Sequence, residues 1–439
     1  MTSLLLALHA LPALLGCAAD PAVDAEVALA DDMPTVVVVT WEAPDDAEVQ
    51  VAFGDGQVSR LAERLDDGRV RVFVVGTPEA TEVTVTPVMT VDGQRLEGAA
   101  QTLTTGTLGR VLPEVGIEQP GEVEGALLLT TFLGDVTGPV ILDREGRPVW
   151  YYALEPDRIC IDVEPVRGST DLYVLTQHLY ADEEGERGRL LRVGLDGALV
   201  EAWDVVDAHH ALTQPEPGVV AWVRQDIVED ADGVLHHGEA IDRMGPDGAI
   251  TTLTDTFTLW PESWDYSIEA GPHANGLSWS EARGAYLMSF HARRSVIELD
   301  ADGQPTGFAL GEPAGWDFSP PEAKFATLHG PSITPDGTLL LFDNGSPEDS
   351  ARVIEYALND GVAEQVWEAR WPDGDEIMLL GDARRRENGN TLVSWGLRGE
   401  LGELDPEGEV LWRAFAYIGM AFGNIQVFEA SVPDGEAGQ

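Results

Sequence analysis

Val296-Ile297-Glu298-Leu299-Asp300-Ala301-Asp302-Gly303 and Val353-Ile354-Glu355-Tyr356-Ala357-Leu358-Asn359-Asp360-Gly361 share one pattern, a β-rich apolar run that ends in an acidic residue and a glycine. Alternation with period two suits a strand with one buried face, and the acidic-Gly pair supplies the positive φ of a tight hairpin. The same turn recurs at Asp143-Arg144-Glu145-Gly146, Asp196-Gly197, Asp247-Gly248 and Glu407-Gly408. Counted from Gly to Gly, the six turns lie 51, 51, 55, 58 and 47 residues apart. An apolar strand follows each turn and is often closed by Trp (Trp150, Trp203, Trp367, Trp412). Most units also hold an earlier turn, such as Pro217-Gly218, Pro335-Asp336-Gly337 or Asn388-Gly389. Each unit therefore supplies about four strands, which is the signature of a β-propeller blade. The prediction is an all-β chain with a six-bladed β-propeller over residues 116–432.

Three histidines keep step with these units. His210, His273 and His329 lie 63 and 56 residues apart, and each opens an apolar run that ends at a Gly turn (Gly218, Gly284, Gly337). Residues at the start of innermost strands sit at the rim of a propeller's channel, so the three imidazoles are expected around one axis. Cys160 stands eight residues before Gly168, the offset of His210 and His329, and reads either as channel-facing or as a small buried hydrophobe. Converging neutral imidazoles suit a metal site, or nucleophilic transfer in which one ring attacks and its neighbours hold the departing charge. Asn275, two residues after His273 and on the same strand face, is a hydrogen-bond donor and a poor metal ligand. Few carboxylates lie near the histidines in sequence to orient metal-bound rings. No metal and no cofactor is therefore expected.

The N-terminal residues 1–17 read as an apolar export segment closing on Leu14-Leu15-Gly16-Cys17, with Cys17 as the lipidated residue. Residues 18–33 are small and acidic and read as a flexible tether. Residues 34–107 alternate between β-rich runs and Gly turns, which predicts a small fibronectin/Ig-like β-sandwich ahead of the propeller. Residues 433–439 read as a disordered tail. The chain carries 77 acidic and 26 basic residues, a net charge of -51, and Lys324 is its only lysine. Such a surface repels nucleic acid and anionic headgroups, so no nucleic-acid partner is expected and membrane attachment only through a lipid anchor. Apart from Cys17 the only cysteine is Cys160, which excludes a disulfide framework. His178, His236-His237 and Arg384-Arg385-Arg386 read as residues of solvated loops.

Several strings are more specific. Trp264-Asp265-Tyr266, Pro272-His273-Ala274-Asn275, Leu287-Met288-Ser289-Phe290-His291, Leu328-His329-Gly330 and Leu341-Phe342-Asp343-Asn344-Gly345 resemble the bacterial arylsulfate sulfotransferase family, over about Leu142 to Glu429. The resemblance implies sulfuryl transfer from an aryl sulfate donor to a phenolic acceptor without a nucleotide sulfate, through a sulfohistidine. It implies His329 as the nucleophile, with His273, Asn275, His210 and His209 as catalytic residues that hold sulfonate oxygens. It implies His291, Arg293 and Asn344 as substrate-binding residues. The family has Arg where this chain reads His291, so either His291 replaces it or Arg293 reaches the site in a shifted register. Ala211 and Leu328 also depart from the family, which commonly has an acidic residue and Gln there. The implied location is the bacterial periplasm or cell surface, with a homodimer as the candidate assembly. Two other readings stay open: a non-catalytic surface propeller that binds a ligand or protein through its funnel, and a metal-dependent enzyme on the same ring.

Overall fold

The computed structural model describes residues 23–54, 56–121, 127–178, 187–260, 271–311, 315–347, 349–370, 376–417, 419–430 and 432–433. Six antiparallel sheets form the blades of a propeller. Blade 2 is Arg158–Pro165, Leu172–His178, Arg187–Val193 and Leu199–Val206. Blade 3 is Ala208–Glu216, Val219–Glu229, Leu235–Met244 and Ile250–Asp255. Blade 4 is Ala274–Ser280, Ala285–Phe290, Ser295–Asp300 and Pro305–Gly311. Blade 5 is Leu328–Ile333, Leu339–Asp343, Arg352–Asn359 and Val362–Arg370, with Asp317–Ser319 added in parallel on its outer edge. Blade 6 is Asp382–Arg385, Thr391–Ser394, Glu400–Leu404 and Val410–Ala416. First strands of neighbouring blades touch each other, so they line the axis.

Ring closure uses both ends of the propeller segment. Val115–Gln119 pairs with Val410–Ala416 on the outside of blade 6. Blade 1 has Leu127–Leu133, Gly138–Leu142 and Pro148–Tyr151 from early in the chain, and takes its inner edge from Ala421–Phe422 and Gln426–Phe428. Two backbone ladders thus bridge the seam.

All six acidic-Gly turns join the third strand of a blade to its fourth, and each of their glycines has positive φ, between 76° and 87°. Their tryptophans have a second task. Indole Nε1 of Trp150, Trp367 and Trp412, each on a fourth strand, donates to the carbonyl of Leu195, Pro406 and Arg144, in each case at 2.9 Å. Those carbonyls belong to the third-to-fourth turn of the next blade, so each indole, buried at Trp150 and Trp412 and partly buried at Trp367, packs at the inter-blade core and satisfies its N–H across it. Trp412 to Arg144 makes the link from blade 6 to blade 1.

The sandwich packs the sheet Ala25–Leu29, Val37–Glu42, Arg69–Val74, Leu61–Arg64 against a sheet built on Glu48–Phe53 and Glu82–Val91, around Val37, Val39, Trp41, Val51, Val72 and Val85. It starts earlier than the sequence reading has it. Residues 18–33 were expected to be a tether, yet Ala25–Leu29 pairs with Val37–Glu42. Ala25, Val27 and Leu29 alternate with exposed Glu26 and Ala28, and this period-two pattern outweighs the acidic, small composition. At the other end Val432–Pro433 pairs with Gln57–Ser59, so the chain leaves the propeller and returns to the sandwich. Met33, Val36, Phe73 and Val75 share one core with Leu129, Ile141, Trp150 and Val174 of the propeller. The export segment with Cys17, and residues 434–439 of the expected tail, lie outside the described residues.

Candidate functional site

The first strands of blades 2 to 5 all break register at the same level. The shifts fall between Cys160 and Asp162, His209 and Leu212, Ala274 and Gly276, and His329 and Ser332. A bulge adds a residue to one strand and re-aims its side chain, here toward the axis. His210 (φ 58°) and His273 (φ 48°) adopt left-handed backbone, a conformation that costs a non-glycine residue about 1–3 kcal/mol and gathers at functional sites. After His329 the same role falls to Gly330 (φ 54°), where a Cβ would collide with the Asp382 carboxylate.

The bulges open a cavity of about 230 Å³ to which blades 1 to 5 and the segment leading into blade 6 contribute: Leu133, Gly423 and Asn424 from blade 1, Cys160 from blade 2, His210, Asn275 and His329 from blades 3 to 5, and Leu380-Gly381 ahead of blade 6. Imidazoles form an arc of which His210 and His329 line the cavity. Ring centroids step by 4.8 Å from His209 to His210, 4.8 Å to His273, 5.8 Å to His291 and 6.2 Å to His329.

His329 is the best defined. Its Nδ1 lies 2.6 Å from Oδ1 of Asn344, whose amide nitrogen donates to the carbonyls of Ile377 (2.9 Å) and Leu380 (2.7 Å). Those carbonyls can only accept, so the amide orientation is fixed, Oδ1 accepts from His329, and the proton sits on Nδ1. Nε2 is left with its lone pair free. Burial pushes the ring down to about 4, against the favourable Asn344 bond and helped by His291 and His273 nearby, so it is neutral near pH 7. Burial also lowers His210, His273 and His291.

Asn275 lines the cavity, donates to the Leu328 carbonyl (2.5 Å) and accepts from Ser289 Oγ (2.8 Å), which leaves one amide hydrogen. Cys160 satisfies both of its readings at once, since it lines the cavity and is fully buried, with a thiol that burial holds far above its usual range.

Three residues stand elsewhere than expected. Asn344 is no substrate ligand, since both ends of its amide are held by protein groups; it positions His329. His209 lies behind His210, with Nδ1 2.6 Å from Nδ1 of His210 and Nε2 2.8 Å from Glu239. Arg293 stacks its guanidinium 4.1 Å over the Trp260 ring, while His291 occupies the gap between His273 and His329. Among the described residues no Arg or Lys lines the cavity, and no three His, Cys, Asp or Glu side chains are grouped as metal ligands.

Glu239 is the residue that sequence reasoning missed. It follows His236-His237-Gly238, which read as a loop in sequence but belong to the strand Leu235–Met244, where His236 is buried with Nε2 2.9 Å from Asp230. His178 likewise ends the strand Leu172–His178. Arg384 and Arg385, also expected in a loop, lie on the first strand of blade 6 and pair with Asp382 and Glu355; Arg386 pairs with Glu403. Arg384 faces a hollow of about 490 Å³ further along the same inner strands, beside Asp162 and Glu164. Trp264-Asp265-Tyr266 lies outside the described residues.

No protein-family model and no curated protein matches the chain. Among solved structures it is similar to a Bacteroides caccae protein of unknown function, with 14% identity and a TM-score of 0.44 over 70% of this chain and 100% of that one. A Bacteroides thetaiotaomicron protein of unknown function shares 12% identity, with a TM-score of 0.39 over 91% and 99%. The Swd1 β-propeller domain of Myceliophteria thermophila shares 12% identity, with a TM-score of 0.40 over 68% and 89%. Likeness at this level says nothing of function.

Proposed function

We propose that the chain transfers a sulfuryl group from an aryl sulfate ester to a phenol through a sulfohistidine on His329. The observation that carries this is the state of His329: neutral, oriented by Asn344, and with a bare Nε2 lone pair on the wall of the cavity. In the first half-reaction Nε2 attacks sulfur, the ester S–O bond breaks and the aryl oxide departs with its electron pair. In the second, the acceptor oxygen attacks sulfur and the S–N bond breaks, which returns the pair to Nε2. Such transfers run through loose transition states in which positioning and charge stabilisation dominate. In this reading the remaining Asn275 amide hydrogen, on the cavity wall, and the neighbouring rings of His273 and His291 hold the sulfonate oxygens.

A second reading draws on one specific feature. With His291 in place of an arginine the wall carries no fixed cation, which also suits a non-catalytic propeller that binds a neutral aromatic ligand. Nitrophenol release from a nitrophenyl sulfate in the presence of a phenol separates the two. The transferase reading expects acceptor-dependent release that is lost in His329→Ala. Absence of release with every phenol tried would favour the binding module.

A further inference from the structure

Glu239, His209 and His210 form a hydrogen-bonded chain from the third strand of blade 3 to the cavity wall. Glu239 and His209 are buried, at 4% and 8% exposure, and His210 lines the cavity. With Glu239 as a carboxylate and His209 neutral, the direction of each bond is set. An ionised carboxylate only accepts, so His209 Nε2, 2.8 Å from Glu239, carries a proton. A neutral His209 then has its lone pair on Nδ1, so the proton in the 2.6 Å contact between the two Nδ1 atoms belongs to His210. His210 is left with a lone pair on Nε2. A buried His–Glu pair needs no second imidazole to satisfy it. Here the second ring is held by left-handed backbone at His210 itself (φ 58°), in a segment already left-handed three residues earlier at Asp207 (φ 57°), which argues for a demand beyond packing.

We infer that His210 is the proton acceptor for the incoming phenol and that Glu239, acting through His209, is the positioning residue that makes it one. The chemistry rests on the sulfuryl-transfer reading; the proton positions do not. As the acceptor oxygen bonds to sulfur and the S–N bond to His329 breaks, the phenolic proton passes to His210 Nε2. The Nδ1 proton of His210 moves to Nδ1 of His209, and the positive charge ends beside the Glu239 carboxylate. Run backward, the same chain returns a proton to a departing aryl oxide. The arrangement extends the logic of a carboxylate that orients a general base by one further imidazole.

The test has two arms. Transfer from nitrophenyl sulfate is measured for the wild type, Glu239→Gln and Glu239→Asp against phenols of decreasing acidity. Glu239→Gln should lose about 10²-fold with weakly acidic phenols, which need a base, and at least tenfold less than that with acidic phenols that are already ionised. Glu239→Asp should recover part of the loss. A uniform loss across the series, or none, would overturn the relay. The second arm uses imidazole nitrogen and proton NMR on the protein without substrate. A strongly deshielded proton between His209 and His210, with His210 Nε2 unprotonated, is expected, and it should shift or vanish in Glu239→Gln. A proton on His210 Nε2 would overturn the proposal. If the wild type moves sulfuryl groups to no phenol, the sulfuryl reading fails, while the NMR arm still decides the relay.

Discussion

Nδ1 of His329 and Oδ1 of Asn344 meet at 2.6 Å, and the Asn344 amide is anchored by the carbonyls of Ile377 and Leu380 just ahead of blade 6. The orientation of a side chain in blade 5 is therefore set by the loop that leads into the next blade. Asn344→Asp replaces the fixed acceptor with a carboxylate, which favours imidazolium and leaves two carbonyls without donors. The acid limb of the kcat/KM–pH profile should move to higher pH, and stability should fall by about 1–3 kcal/mol for the unsatisfied groups. A pH-rate series with urea unfolding checks both; an unmoved acid limb would remove Asn344 from its positioning role.

Buried imidazoles couple stability to pH. Unfolded histidine titrates near 6.5, whereas burial holds His329 near 4 and lowers the cavity-lining His210 as well. Between these values the unfolded chain binds more protons, so stability contributed by the neutral rings is full above about 6.5 and is lost as pH falls toward 4. For His329 alone the difference is on the order of 3 kcal/mol. Unfolding of wild type and His329→Gln from pH 7 to 4 should give diverging curves, the wild type losing more. Transfer activity should persist below pH 6 and vanish only as the pH approaches 4.

His291 and Arg293 separate cleanly. His291→Arg would place a fixed cation between His273 and His329, and KM for an aryl sulfate should drop about tenfold, the equivalent of one charged hydrogen bond. Arg293→Ala should leave KM alone and cost about 1–2 kcal/mol of stability, because its guanidinium stacks on Trp260. The reverse pattern would show that the register assigned to this strand end is wrong.

The Trp412 indole bonded to the Arg144 carbonyl lies at the seam of the ring. Trp412→Phe keeps most of the apolar volume and strands that carbonyl, so a loss of about 1–3 kcal/mol is expected in denaturant unfolding. An unchanged midpoint would mean that the strand ladders alone close the ring.

What could be read from residues alone was local. Asp302-Gly303 and its five counterparts are legible because positive φ is a demand on the turn itself, and all six proved to occupy one position in the blade. His210, His273 and His329 are legible because the bulges that aim them recur at one level of successive first strands. Glu239 is not, since it reaches His209 only through lateral pairing, in which Ala208–Glu216 and Leu235–Met244 flank Val219–Glu229. Asn344 reads as a turn residue until the pairing of Leu328 with Asp343 brings it beside His329. The choice between His291 and Arg293 depends on where the strand ending at Phe290 stops. In residues 25–29, composition masked an alternation that pairing makes plain.

The central claim is a covalent bond at one nitrogen. Intact-mass measurement of the protein after brief incubation with an aryl sulfate and no acceptor, followed by peptide fragmentation under non-acidic conditions, tests it most directly. One acid-labile sulfonate on His329, discharged when a phenol is added and absent from His329→Ala, is the predicted result. Nitrophenol release with no modified histidine, or with the sulfonate on another residue, would contradict it.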